Sequence, residues 1–173
     1  AGRVPAGRPG RQQGAATGPG PGGGITGARR LGTGEQAVPR GAHGIRQAHA
    51  SGPELVGRRP KVDTPERDQA PFGTAATAGM AALIPAGATV QISMDKTARD
   101  RFGRLLGYAW YEGASVNWLM IRLGWAVSVK YPPNTRYAEW FDRAEGRAKT
   151  EQRGLWRVGG FSCRPSRHRA GQC

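Results

Sequence analysis

From residue 90 to residue 110, hydrophobic positions recur with period two. Val90, Ile92 and Met94 alternate with Gln91 and Ser93, and Leu106, Tyr108 and Trp110 alternate again, the pattern of strands that bury one face. The spacing predicts two paired strands joined by a polar loop from Asp95 to Arg104, with Glu112-Gly113 as the turn that follows. The period then changes. Val116, Leu119, Met120 and Leu123 fall at i, i+3, i+4 and i+7, with Ser115 placed to cap a helix and Gly124 just past its end. Upstream, Gly73 to Ile84 is rich in alanine and stopped by Pro85 and Gly87, which predicts a short helix packed on the sheet. Trp125 to Val129 reads as a short strand. After Pro132-Pro133, Asn134 or Thr135 can cap a third helix with Tyr137, Trp140, Phe141, Ala144 and Ala148 on one side. Glu139/Arg143 and Glu145/Lys149 are its i,i+4 ion pairs.

The first sixty residues carry no such pattern. All thirteen aromatic residues lie at Phe72 or later, while this segment holds sixteen of the 28 glycines and seven of the thirteen prolines. Its few apolar residues, Val4, Ile25, Leu31, Val38 and Ile45, follow neither period, and such a chain cannot bury enough apolar surface to offset its ordering entropy. Residues 1–57 therefore read as a disordered low-complexity segment, 58–156 as one domain and 157–173 as a basic tail of solvated charge. His43 and His49 lack the nearby cysteines or further ligands that a closed transition-metal shell needs.

A net charge of +14 predicts attraction to polyanions, nucleic acid first and an anionic membrane surface second. Arginine far outnumbers lysine, which fits phosphate binding by forked guanidinium groups and equally a GC-rich gene. No apolar run reaches membrane-spanning length, and no charged-then-apolar stretch marks a signal peptide. Cys163 and Cys173 either close a small loop in an oxidising compartment or remain free thiols on a loose tail.

One stretch concentrates reactive groups: Arg58-Arg59-Pro60-Lys61-Val62-Asp63-Thr64-Pro65-Glu66-Arg67-Asp68. A metal at Asp63 would act as a Lewis acid, Glu66 could take a proton from water, and Arg58 could neutralise charge developing on a phosphate. Asp-Thr-Pro-Glu is equally a good turn or helix-start sequence.

The surrounding motifs, in order and spacing, are those of a known family. Phe72-Gly73 opens the alanine-rich helix, Asp95 to Arg104 contains Asp-Arg-Phe-Gly-Arg before a strand, Val116-Asn117 starts a helix, and Tyr131-Pro-Pro-Asn-Thr135 leads to Gly154-Leu-Trp156. Over about residues 62–156 the chain resembles the thermonuclease family, the staphylococcal-nuclease-like domain. The resemblance implies an α+β fold: a five-stranded OB barrel with three helices, here with its N-terminal strands unrecognisable. It also implies a calcium-dependent nuclease that cuts DNA and RNA with little sequence preference and leaves 3'-phosphate ends. Asp63 and the Thr64 carbonyl would hold Ca2+, Glu66 would be the base, Arg104 and Arg58 the catalytic arginines, and Arg101, Phe102 and Tyr131 the substrate-binding residues. The expected partners are DNA and RNA, single strands first, with no membrane, no protein partner and a monomeric chain. Secretion is compatible with the resemblance.

Several positions depart from the family pattern. The family's first strands carry an additional calcium-binding Asp, and this chain has no Asp before Asp63. Phe102 and Val129 stand where the family usually has tyrosine: Phe102 keeps the ring and loses the hydroxyl hydrogen bond, while Val129 would weaken base stacking by roughly 1–3 kcal/mol. An alternative of another class is a catalytically inactive nucleic-acid-binding OB module; a third is a damaged product holding half a barrel. A shifted reading frame upstream of Val62 would explain the change of composition, and translation of the other two frames tests it.

Overall fold

The two alternating stretches pair as expected and form the centre of the fold. The computed structural model describes residues 62–173 and, upstream of them, the backbone of one strand at residues 45–49. In chain order the strands are β1 (Ile45–His49), β2 (Val62–Asp63), β3 (Thr89–Arg99), β4 (Leu105–Tyr111), β5 (Ala114–Ser115) and β6 (Val127–Ser128). The helices are α1 (Phe72–Leu83), α2 (Val116–Arg122), α3 (Ala138–Thr150) and α4 (Pro165–Arg169), with a 3-10 turn at Gly154–Trp156. Among the described residues no helix is long and apolar enough to cross a membrane.

Strands β1, β3, β4 and β5 form one antiparallel sheet in that order, and β2 pairs with β6 in a second, two-stranded one. The α+β class is as the sequence predicts. With the N-terminal strands of the expected barrel outside the recognisable pattern, no closed barrel exists among the described residues. Two expectations are corrected. The described residues contain four α-helices rather than three, because the tail forms α4. A strand stands at Ile45–His49, where the apolar pattern predicts none: it lies along Thr89–Ser93 as an edge strand, held by backbone pairing, which needs no apolar alternation. Arg58, at the start of the expected domain, and the segment 1–57 apart from β1 lie outside the described residues.

The polar loop is shorter than its sequence indicates. Strand β3 runs on to Arg99 through a register shift after Met94, which leaves only Asp100–Arg104 as the turn. On β4, Leu106 through Trp110 are all buried, so the one-sided exposure implied by alternation is lost. Tyr108 packs edge-on to Tyr137 at 4.7 Å, and the Ala109 N–H donates to the buried Asn117 side chain of α2 at 2.7 Å. Helices α2 and α3 face each other across stacked Trp118 and Trp140, 5.4 Å apart. The cap on α2 is as expected, with Ser115 Oγ accepting from the Trp118 N–H at 3.3 Å. Gly124 ends it at φ +78, and its backbone lies so close to Arg153 that a Cβ would overlap the Arg153 carbonyl.

Helix α3 starts later than predicted, at Ala138 with Tyr137 as N-cap. Asn134 does not cap it. Its buried amide accepts from the Thr97 N–H and donates to the Thr97 carbonyl, both at 2.8 Å, so it ties the approach to α3 onto β3. The Glu139–Arg143 pair forms at 3.8 Å. The expected Glu145–Lys149 pairing is replaced. Glu145 is buried and accepts from the Ser128 N–H at 2.6 Å and Arg164 at 2.7 Å, while Lys149 lies over the Trp156 ring.

Candidate active site

The acidic segment is built as a strand end followed by a tight turn. Val62 and Asp63 pair with Ser128 and Val127 of β6, which fixes the Asp63 backbone against the body of the protein. Pro65 is buried. Glu66 then opens a turn that Gln69 closes twice: the Glu66 N–H donates to Gln69 Oε1 at 2.9 Å, and the Gln69 N–H donates to the Glu66 carbonyl at 3.0 Å. Helix α1 begins only at Phe72, so Asp63 and Thr64 are not its caps. Gly73 packs so closely on this turn that a Cβ would collide with the Glu66 carbonyl. Glycine is thus required where the helix start supports the turn.

Asp63 and Glu66 converge on one cation, the Arg169 guanidinium of α4. Arg169 Nη1 donates to Asp63 Oδ1 at 2.9 Å and to Glu66 Oε1 at 2.6 Å, and Nη2 donates to Asp63 Oδ2 at 2.9 Å. The side chain of Asp63 is 15% exposed, that of Arg169 30% and that of Glu66 40%. Hydrogen bonds from Arg169 to Asp63 first, and to Glu66 as well, hold this guanidinium charged beyond the ordinary arginine range. The tail is therefore not free solvated charge. Cys163 and Cys173 are joined by a disulfide with Cα atoms 5.9 Å apart, which closes a loop around α4 and excludes the free-thiol alternative. Around that loop, Gln69 Nε2 donates to the Cys163 carbonyl at 3.2 Å, His168 Nε2 meets Asp68 at 3.1 Å and Arg164 binds Glu145. Periodicity could not reveal this contact, since Arg169 acts 106 residues from Asp63. The one signal available was a cysteine on each side of Arg164, Arg167, His168 and Arg169.

Arg101, Phe102 and Arg104 share the turn between β3 and β4, organised by Asp100. Asp100 Oδ1 accepts from the N–H groups of Phe102 at 2.9 Å and Arg104 at 3.0 Å, and Oδ2 accepts from Arg104 Nε at 2.7 Å. The Arg104 hydrogen bonds hold the Asp100 carboxyl below the ordinary carboxylate value. Phe102 is 61% exposed, with the guanidinium carbons of Arg101 and Arg104 each 4.6 Å from its ring centre. The turn thus presents an exposed aromatic ring with two cations against it, of which Arg104 is held by Asp100, a combination suited to a base and its phosphate. Tyr131 is exposed at 43% and pairs with Asn134 in an isolated bridge.

The donors at Asp63, Thr64 and Glu66 are all oxygen, and two carboxylates already converge on one positive charge, which suits a hard divalent ion. They are fewer than the roughly six to eight oxygens calcium takes. Among the described residues no group of three or more His, Cys, Asp or Glu that could hold a metal ion is present, so Asp63, Glu66 and the Thr64 carbonyl would supply only part of such a shell.

Comparison with known proteins adds an independent observation. Residues 58–158 match the family model described as Staphylococcal nuclease homologue. The SPbeta prophage-derived endonuclease YokF of Bacillus subtilis (strain 168) is 35% identical over 107 residues, 58% of this chain and 36% of that protein. Endonuclease YncB of the same organism is 35% identical over 107 residues, 58% of this chain and 50% of its own length. Thermonuclease of Staphylococcus intermedius is 29% identical over 100 residues, 55% of this chain and 59% of that protein. The chain thus spans between about a third and three fifths of the length of these relatives.

Proposed function

Because the chain belongs to the family of staphylococcal nuclease homologues, we propose that it is a calcium-dependent nuclease hydrolysing phosphodiester bonds of DNA and RNA with little sequence preference. The observation that carries this reading is the convergence of Asp63 and Glu66 on a single cationic point, a geometry that the spacing of the two residues alone does not guarantee. The OB arrangement that the family implies would place the Arg101–Arg104 turn along the path of a bound strand.

In this mechanism Asp63 and the Thr64 carbonyl would hold Ca2+, which when bound would supply Lewis acidity at the phosphate. Glu66 accepts the proton of the attacking water. The water oxygen bonds to phosphorus, the P–O5' bond breaks, the departing O5' takes a proton from solvent to become a 5'-hydroxyl, and the 3'-phosphate end remains. Arg104, oriented by Asp100, neutralises charge on the equatorial oxygens, and Arg58 is assigned the same role from the other side. Phe102 stacks on a base, Arg101 binds a phosphate, and Tyr131 contacts the nucleotide.

The test is degradation of heat-denatured DNA by the full chain with calcium, with chelator, and with Glu66→Gln. Calcium-dependent cutting that falls by about 10²–10⁴-fold in Glu66→Gln supports the reading. Salt-sensitive DNA binding with no cutting in any sample would replace it with the inactive OB binding module. That second reading is favoured by the lack of any Asp before Asp63 and by Val129.

A further inference from the structure

We propose that Arg169 is a built-in competitor for the divalent cation, delivered to Asp63 and Glu66 by the disulfide-closed tail, so that the chain carries its own autoinhibitory contact. The proposal rests on the nuclease reading of those two carboxylates. Three of their oxygens accept from one guanidinium at 2.6–2.9 Å, including both oxygens of Asp63. An ion using Asp63 must share or displace that charge. The contact is built rather than incidental. Helix α4 is short, and the Cys163–Cys173 bond closes the chain on both sides of it. The loop is then fastened to the turn that carries Glu66. Gln69, which closes that turn, donates to the Cys163 carbonyl, and His168 meets Asp68. Arg164 at the start of α4 holds Glu145 of α3. Arg169, the last residue of α4, thus lies inside an anchored segment.

Two consequences follow from mass action. Calcium binds less tightly to the parent chain than to a chain without Arg169, and calcium binding loosens the tail. Cutting the tether acts in the same direction. A dithiol reductant, itself oxidised to a cyclic disulfide, converts the Cys163–Cys173 bond to two thiols, and Arg169 then competes at a lower effective concentration.

Calcium binding to the full-length oxidised chain is measured by titration calorimetry for the parent, Arg169→Gln, Cys163→Ser and Asp63→Asn. Hydrogen exchange of residues 164–173 is followed with and without calcium. Arg169→Gln is expected to bind calcium at least tenfold more tightly and Cys163→Ser several-fold more tightly. The tail of the parent is expected to exchange faster once calcium is bound. Equal or weaker binding by Arg169→Gln, together with loss of binding in Asp63→Asn, overturns the competition and leaves the nuclease site standing. Unchanged tail exchange in a parent chain that binds calcium also overturns it. Calcium binding that survives Asp63→Asn, or is absent from every chain, overturns the reading of the site and the proposal with it. A Cys163→Ser chain no tighter than the parent overturns the role given to the disulfide.

Discussion

Helices α2 and α3 and the acidic turn with its tail are held by different means. In the helical body, partners are numerous and mostly apolar. Every residue of α2 is buried, and Phe141 of α3 is fully inaccessible. At the turn, partners are few, charged and distant in sequence: Asp63 and Glu66 meet Arg169, Asp68 meets His168, and Gln69 meets the Cys163 carbonyl. The first region can lose one contact and keep its arrangement, whereas the second depends on single side chains. Stability therefore lies in the body, and the state of the site lies in the turn and tail.

Substitutions should separate the two regions. Phe141→Ala removes a ring wedged among Tyr108, Tyr137 and Trp140 and should cost about 3–5 kcal/mol in urea unfolding. A loss below about 1 kcal/mol would place the stabilising core elsewhere. Asn134→Ala removes two hydrogen bonds from the half-buried Thr97 N–H and carbonyl and should cost about 1–3 kcal/mol at about 0.5–1.5 kcal/mol for each, read by the same melt. Arg169→Gln should lower stability by no more than about 1 kcal/mol, because all three side chains are partly exposed. A cooperative loss of several kcal/mol would show that the tail belongs to the body.

The turn between β3 and β4 offers a test by pH. The Asp100 carboxyl is held below its ordinary value of 3.8, chiefly by hydrogen bonds from Arg104. A depressed folded-state value means that its contribution is fully present above pH 3.8 and is lost as pH falls through the folded value. The difference in Tm between the parent and Asp100→Asn should therefore be constant above that pH and close below it. A difference that widens in acid would reverse the assignment. The smallest effect is expected at Glu139→Ala, whose exposed pair with Arg143 at 3.8 Å should contribute less than about 0.5 kcal/mol; a larger thermal shift would mark a role for that surface.

Local pattern made much of the body legible in advance. The spacing of Val116, Leu119, Met120 and Leu123 marked α2 as a helix, although all of its residues are buried and Leu123, its C-cap, is only half-buried. Ser115 and Gly124 marked its ends, and alternation marked the pairing of β3 with β4. Pattern misled where tertiary packing intervened, as on β4, where Leu106 through Trp110 are covered on both faces, and at Asn134, whose amide serves β3 instead of α3. Edge strand β1 escaped notice because backbone pairing to Thr89–Ser93 leaves no mark on side-chain periodicity.

The sequence by itself determined the elements whose forces act within a few residues: helix stripes, caps, turns, and the carboxylates three positions apart at Asp63 and Glu66. Only the tertiary structure decided which cation those carboxylates meet. The Cys163–Cys173 bond and the anchors at Gln69, Asp68 and Glu145 bring Arg169 back across the chain. Ion pairing depends on distance in space, and no periodicity encodes a contact between residues more than a hundred positions apart.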